Sequence, residues 1–192
     1  RRNLELTETI RSGAVSGSLL SILDRTISPM GRRLMRQWVS KPLLDLHAIQ
    51  ARQDGVQTLV ENGMLRAELR ARLKPLSDLE RLTNRVLAGH ASPRDLVAVR
   101  TTLGAVPAVL AVFPSEIAPL QPILHEIDPC AAQLELLEQA VADDPPATLQ
   151  NSGIIRPGFS ADLDHIIESS RHAREWIANL ENVERQRTGI KT

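Results

Sequence analysis

The sequence predicts an all-α fold, a multi-helix bundle from which one long helix projects. Apolar residues make up 42% of the 192 residues, but aromatic residues only 2%, and tyrosine is absent. The core must therefore be built from Leu, Val, Ile and Ala, which favours packed helices over sheets. Helix-capping signals recur along the chain, and residues 160–187 contain neither proline nor glycine.

The first 17 residues are the least regular part of the chain. Residues 3–7 alternate between polar and apolar side chains, which predicts a short strand, and Gly13 and Gly17 bracket a loop. From Ser18 to Arg25 the apolar residues follow helical spacing over two turns.

The next two helices have clear boundaries. Ser28-Pro29 places an N-cap before a proline at the first helical position, and Lys41-Pro42 ends that helix. The following helix runs from Asp45 to Asn62-Gly63, although Gly55 in its interior costs about 1 kcal/mol relative to alanine. The predicted buried stripes are Met30, Leu34, Trp38 and Val39 in the first helix, and Ile49, Val56, Leu59 and Val60 in the second.

Three further helices are predicted up to residue 110. One carries leucines at four-residue spacing and is interrupted by Pro75. In the next, residues 77–80 form a capping-box sequence with Ser77 as N-cap and Glu80 reaching back. Ser92-Pro93 opens the third, which Pro107 should kink or split. Their predicted buried residues are Leu65, Leu69, Leu73, Leu79, Leu82, Val86, Leu96, Val99, Leu103, Val106 and Leu110.

The remaining third of the chain holds two short helices and one long one. We expect a short helix over residues 123–127 and another around 134–141, stopped by Pro145-Pro146. Residues 151–159 read as a loop with a small extended piece around 153–156. Residues 160–187 then form one helix, whose apolar positions follow a 3–4 repeat. The predicted division is a helical bundle over 1–150 and a loop plus long helix over 151–192.

Charge is unevenly distributed although the net charge is zero. Residues 1–100 carry an excess of seven positive charges, whereas residues 101–155 contain seven acids and neither Lys nor Arg. A neutral total argues against a free-standing nucleic-acid binder. The role of the acidic stretch stays open.

The sequence contains no recognisable motif for catalysis, cofactor binding or metal binding. There is no phosphate-binding Gly-rich loop, no dinucleotide fingerprint and no His-Glu-x-x-His. The single cysteine, Cys130, excludes an internal disulfide and has no basic neighbour that would activate it. No apolar run reaches the ~18 residues of a membrane span. We therefore predict no catalytic, cofactor or metal residues, and a cytoplasmic location.

Two basic clusters are weak candidates for contacts with DNA phosphates. Arg32, Arg33 and Arg36 share one helical face, and Arg66, Arg70, Arg72 and Lys74 form a second group. The alternative interpretation, a solvated face or a set of intramolecular ion pairs, is favoured for both clusters.

Several segments in family order resemble the MutS family of DNA mismatch-repair proteins. Each segment alone is a weak match, but together they span the chain, and the first segment and the 153–159 loop are similar to the bacterial mismatch-repair branch. The segments are residues 1–7 (RRNLELT), 17–26 (GSLLSILDRT), 29–34 (PMGRRL), 41–45 (KPLLD), 78–82 (DLERL), 92–96 (SPRDL), 153–159 (GIIRPGF) and 184–191 (ERQRTGIK).

The resemblance implies the core and lever region of such a protein, whose mismatch-reading, ATPase and DNA-clamp motifs are not in this sequence. It implies a larger protein that binds mismatched duplex DNA, uses ATP and Mg, forms a homodimer and recruits a MutL-type partner in the bacterial cytoplasm. The long helix would lead towards the clamp and couple it to the ATPase. It would lack its return helix here, so we expect it to self-associate, pack back on the bundle or fray.

Two other functions remain open. The chain could be a free-standing helical adaptor that binds another protein through the long helix. It could also be an independent DNA-binding domain, but we expect this chain alone to bind DNA weakly or not at all.

Overall fold

The computed structural model describes residues 4–115 and 117–189, and confirms the all-α class. Within these ranges no helix is both long and apolar enough to cross a membrane. The helices are α1 (Leu19–Leu23), α2 (Pro29–Ser40), α3 (Leu46–Glu61), α4 (Gly63–Leu73), α5 (Leu79–Leu87), α6 (Pro93–Leu110), α7 (Gln121–His125), α8 (Ala131–Ala140) and α9 (Ala161–Thr188), with a 3-10 turn at Ala118–Leu120.

Helix α6 is the centre of the bundle, where it packs against α4, α5 and α8. Its N-terminus carries a full capping box, in which Ser92 Oγ accepts from the Asp95 amide at 3.2 Å and an Asp95 carboxylate oxygen accepts from the Ser92 amide at 2.9 Å. Of the two outcomes predicted at Pro107, a kink or a split, the split does not occur, because α6 continues to Leu110 and the Ala111 amide still bonds to the Pro107 carbonyl. Packing against three neighbours holds the helix together across the proline.

Most predicted helix starts are confirmed by their caps. Ser28 Oγ accepts from the Gly31 amide at 3.1 Å, and Asp45 accepts from the Ala48 amide at 2.7 Å. The capping box predicted from Ser77 is wrong. Asp78 caps α5 instead, by accepting from the Arg81 amide at 3.2 Å, because tertiary partners occupy the groups that the box would have used.

Those tertiary partners come from α6 and α2. The Ser77 amide donates to Thr102 Oγ1 at 3.2 Å. The Glu80 carboxylate accepts from Arg33 Nε at 3.1 Å and so does not reach back to its own N-cap.

The predicted strand near the N-terminus is wrong for the residues described, and Asn3 lies outside them. Glu5 adopts φ +46° and no strand forms before α1. The carbonyls of Glu5 and Leu6 accept from the Leu19 and Leu20 amides at 3.1 and 2.9 Å. The first turn of a helix has amides without intrahelical partners, and here they take the carbonyls that a strand would have paired.

The core is small and lies mainly on α6 and its neighbours. Leu82 and Leu103 are buried as predicted, whereas Trp38 and Leu59 are half-buried. The predicted burial of four residues is wrong, because periodicity marks the apolar side of a helix but not whether another element covers it. These exposed residues are Leu34, Val56, Val60 and Val86. The described core comprises Leu20, Leu82, Leu103, Leu120, Ala140 and Val141.

Helix α9 is one unbroken helix of 28 residues, as predicted. Ser160 is its N-cap, and Gly189, with φ +69°, ends it. At 1.5 Å per residue it is about 42 Å long. From residue 165 onwards its described side chains are exposed, apart from a half-buried Glu184. The helix therefore extends away from the bundle and does not pack back on it.

Candidate functional site

The long helix joins the bundle at residues 140–143 and 153–164, which we call the root of α9. The backbone pairs here in one antiparallel bridge, between Val141 and Ile155. The Ala142 amide donates to the Ile154 carbonyl at 2.9 Å, and the Arg156 amide donates to the Ala140 carbonyl at 2.8 Å. The extended piece predicted around 153–156 is thus present as a bridge, and it attaches the loop before α9 to the end of α8.

Two arginine side chains converge on the same bridge. Arg100 donates to the Val141 carbonyl at 2.6 Å and to Asp143 Oδ1 at 3.1 Å. Arg156 donates to the same carbonyl at 2.9 Å and to the same carboxylate oxygen at 2.6 Å. We call these groups, Arg100, the Val141 carbonyl, Asp143 and Arg156, the root cluster. It joins α6, the end of α8 and the loop leading to α9.

The root cluster gives part of the acidic stretch a structural role. Arg100 is the last basic residue before the segment 101–155 and Arg156 is the first after it. Both bind Asp143, which lies inside that segment. The Arg100 side chain is only 12% exposed, whereas that of Asp143 is 78% exposed. The arginines at the two ends of the acidic segment are therefore joined through Asp143, and Arg100 is the more buried of the two.

The first turn of α9 is tied to the same loop. Asp164 accepts from the Gly158 amide at 2.8 Å, and Gly158 has φ +90°, a conformation that favours glycine. Leu163 and the two residues Ile154 and Ile155 line a small cleft of about 190 Å³ between loop and helix. The root of α9 is thus held by a backbone bridge and by charged hydrogen bonds, beside an apolar cleft.

The arginines predicted as weak DNA-binding candidates are each placed beside an acidic side chain. Arg33 forms a two-point contact with Asp78, whose Oδ1 lies 2.7 Å from Nη2, and also contacts Glu80. The Arg33 hydrogen bonds lower the pKa of Asp78 to about 2. In return, the two carboxylates raise the pKa of Arg33.

The other two members have weaker partners. Arg32 lies 3.5 Å from Asp24 and Arg36 lies 2.5 Å from Glu8. Intramolecular ion pairs, the favoured alternative, are therefore what this cluster forms. Contact with DNA by any of the three arginines stays a prediction.

The second basic cluster is dispersed over several partners. Arg66 donates to the carbonyls at the end of α3, including that of Val60 at 2.9 Å, and so caps that helix. Arg70 donates to the Arg25 carbonyl at 2.9 Å, and Arg72 pairs with Glu68 at 3.6 Å. These contacts stabilise helix ends and connections.

The described residues offer little for catalytic chemistry. No group of three His, Cys, Asp or Glu side chains among them is arranged to hold a metal ion.

An apolar groove of about 360 Å³ lies between α3 and the 3-10 turn, with Trp38 on one wall. The Arg52 guanidinium stacks on that ring, 3.6 Å from its centroid. The described residues thus form a packed bundle, a root held by hydrogen bonds and a projecting helix.

The sequence did not identify the root cluster. Arg156 lies inside the segment 153–159 that carries the family resemblance, but nothing local distinguishes it as a partner of residues 13 and 56 positions earlier. Asp143 lies next to Asp144 in the sequence, and this spacing gave neither aspartate a role. The available signal was that two arginines border a segment that contains neither Lys nor Arg.

Comparison with known proteins agrees with the resemblance. The family model of MutS domain III matches residues 1–188. The chain is 41% identical over 192 residues to the DNA mismatch repair protein MutS of Acetivibrio thermocellus, 45% over 193 to that of a Synechococcus strain, and 44% over 195 to that of Bacillus pumilus. Each match covers the whole chain but 22% of the relative. The chain therefore belongs to the MutS family of DNA mismatch-repair proteins, within its domain III.

Proposed function

We propose that this chain is the transmission element of a mismatch-repair protein and that α9 carries movement of the bundle to a distant DNA clamp. The observation that carries the proposal is the unbroken, proline-free α9, which leaves the bundle at a fixed root and extends for about 42 Å. A stiff rod turns a small rotation at its base into a displacement of several ångströms at its tip. Coupling of this kind needs a rigid element whose position both ends can bias.

The proposal includes the larger protein in which this element works. That protein would bind mismatched duplex DNA, act as a DNA-dependent ATPase with ATP and Mg, form a homodimer, recruit a MutL-type partner and reside in the bacterial cytoplasm. The relatives are each named DNA mismatch repair protein, which supports a role of the larger protein in mismatch repair. The ATPase and the clamp are assigned to segments outside this chain.

The decisive experiment interrupts α9 in the full-length protein. Replacing Leu180 by Gly and Glu181 by Pro costs about 4 kcal/mol of local helix stability and should break the rod near its far end. We expect ATP to bind as before but no longer to release the protein from mismatched DNA. Stopped-flow fluorescence measures nucleotide binding with a fluorescent ATP analogue and release with a labelled duplex.

A matched variant separates loss of the rod from loss of side chains. Leu180→Ala with Glu181→Ala removes the same side chains but keeps the strongest helix former at both positions. It should retain ATP-driven release. Release that is as fast in the Gly-Pro variant as in the wild type would refute the lever function.

A second function is favoured by the exposed face of α9. Ile166, Trp176 and Ile177 are each more than 60% exposed, as an adaptor that binds a partner protein through this helix would require. The adaptor function predicts stable capture of one partner by the chain without nucleotide or DNA. The lever function predicts that clamp movement depends on the ATP state.

A further inference from the structure

The root cluster, with four arginine hydrogen bonds, is the most extensive polar network at the base of α9 in the described part of the chain. The guanidinium groups of Arg100 and Arg156 both donate to the Asp143 carboxylate and to the Val141 carbonyl, although the two arginines lie on either side of these residues in the sequence. Arg100 belongs to the central helix α6, whereas Arg156 lies four residues before the N-cap of α9. Asp143 lies two positions after the bridge residue Val141, and its carboxylate accepts from both arginines.

We propose that Asp143 is the positioning residue that fixes the direction of α9 relative to the bundle, by holding Arg100 and Arg156 together. The inference rests on the proposed lever function for its purpose, since a lever transmits rotation only if its base is rigid. It goes beyond that function by naming the residues that make the base rigid.

The geometry explains why one carboxylate has this effect. The backbone bridge alone holds the loop through two hydrogen bonds, at 2.8 and 2.9 Å, and would act as a hinge about the strand direction. The arginines add four charge-assisted contacts, two from Arg100 of α6 and two from Arg156 in the loop before α9. Charge-assisted hydrogen bonds are shorter and stronger than neutral ones, and the two-sided attachment resists rotation about the bridge.

The surroundings make Asp143 hard to replace. The Arg100 side chain is 12% exposed, and a buried guanidinium that loses its carboxylate keeps its desolvation penalty. Asp144, the adjacent acid, is exposed and takes no part in the cluster. Asp143→Asn is therefore the test variant, and Asp144→Asn is a control that changes the charge by the same amount.

The test measures the direction of α9 in the chain itself. Spin labels are attached at Thr101→Cys on α6 and Ala178→Cys on α9, both exposed positions, in a Cys130→Ser background. Electron double resonance then gives the distribution of distances between the two helices. We expect a narrow distribution in the wild type and for Asp144→Asn, a clearly broader one for Asp143→Asn, and recovery of the narrow one for Asp143→Glu.

Hydrogen exchange provides a second, independent measurement. The Ala142 and Arg156 amides form the bridge, so they report whether the root opens locally. In Asp143→Asn they should exchange about tenfold faster, the factor expected for losing a charged hydrogen bond that is partly screened by solvent. Amides in the middle of α6 should be unaffected, which distinguishes local opening from general destabilisation.

The distance distribution and the amide exchange of the Asp143→Asn variant decide whether Asp143 fixes the direction of α9. An unchanged distance distribution and unchanged exchange in Asp143→Asn would overturn it. If that variant does not fold, Arg156→Lys serves instead, because lysine keeps the charge but not the two-point contact, and unchanged values there would overturn it equally. If the Leu180 variant in the full-length protein still releases DNA while Asp143→Asn broadens the distribution, the lever function fails and the positioning role stands.

Discussion

At the scale of single residues, Asp78 performs two tasks with one carboxylate. Its Oδ1 caps α5 at the Arg81 amide, and both oxygens bind Arg33 of α2. Arg85 extends the connection by pairing with Asp95 of α6 at 2.7 Å. Charged contacts therefore link α2 to α5 and α5 to α6, in a bundle whose apolar core is small.

The pKa of Asp78 makes this contact sensitive to acid. The Arg33 hydrogen bonds lower that pKa to about 2, below the ordinary value of about 3.9. A depressed carboxyl pKa stabilises the fold above the ordinary value, and the stabilisation is lost as pH falls through the folded-state value. Asp24 and Asp95 also have lowered pKa values, through Thr26 and Ser92 respectively, and act in the same direction.

Asp78→Asn should lower the free energy of unfolding at neutral pH by about 1 kcal/mol, the value of a charged hydrogen bond that solvent partly screens. Asparagine is an equally good N-cap, so the change isolates the ion pairs of Asp78, mainly that with Arg33 and to a lesser extent that with Arg81 at 3.5 Å. The difference between variant and wild type should shrink between pH 4 and pH 2, because the wild type loses the same charge there. Urea unfolding followed by circular dichroism measures both.

Asp144→Asn is the control for this series, since Asp144 is exposed and has none of these contacts. It should leave stability within about 0.5 kcal/mol of the wild type. A stability difference for Asp78→Asn that stays constant down to pH 2 would contradict the assignment of the depressed pKa to this residue.

At the scale of elements, two helix-interior glycines show how packing modifies local preference. A Cβ added at Gly104 of α6 would lie 3.9 Å from Leu134, an ordinary contact, and the position is exposed. A Cβ added at Gly55 of α3 would lie 3.1 Å from Leu120 Cδ2. Gly55 is buried and lets the 3-10 turn approach α3, whereas Gly104 has no such role.

Gly104→Ala should therefore stabilise the protein by about 1 kcal/mol, the difference in helix propensity. Gly55→Ala should give a smaller gain, because Leu120 must move towards the neighbouring groove to make room. Thermal unfolding of the two single variants compares them directly. A larger gain at Gly55 than at Gly104 would show that the contact with Leu120 is not close.

At the scale of the whole molecule, the dominant feature is an apolar stripe that no described element covers. Ile166 and Ile177 are 63% and 62% exposed, one on each side of the small residues Ser170 and Ala173. A patch of this kind marks an interaction surface or a tendency to associate. Self-association of the chain, expected from the sequence, remains a prediction.

Ile166→Gln with Ile177→Gln should weaken any self-association by about tenfold or more, since burying each isoleucine contributes roughly 1.5–3 kcal/mol. Light scattering and sedimentation over a wide concentration range measure the effect. Asn179→Gln with Gln186→Asn, both exposed on the opposite side of the helix, should leave association unchanged. A wild-type chain that stays monomeric at high concentration, with α9 fully helical, would refute the prediction.

We also expect weak DNA binding, a prediction that concerns the whole chain. The net charge is zero, and Arg32, Arg33 and Arg36 lie beside carboxylates. Fluorescence anisotropy with duplex DNA should therefore show little binding by this chain at physiological salt. Tight binding that weakens steeply with added salt would instead indicate that these ion pairs open to meet phosphates.

The sequence by itself determined most of the helices of this protein and its family. Proline, glycine and capping residues act through local backbone geometry, so Ser28, Asp45 and Ser92 marked helix starts without knowledge of the fold. The absence of proline and glycine from residues 160–187 determined the long helix in the same way. Segments spread over the whole chain carried the resemblance to the MutS family.

Only the tertiary structure decided which of these elements touch and which charges pair. Leu34, Val56 and Val60 have the spacing of buried residues, but burial depends on whether a distant element lies over them. The capping box at Ser77 was lost because Thr102 and Arg33 compete for its groups. Arg100, Asp143 and Arg156 are far apart in sequence and meet only through the packing of α8 beside α6, which no local preference encodes.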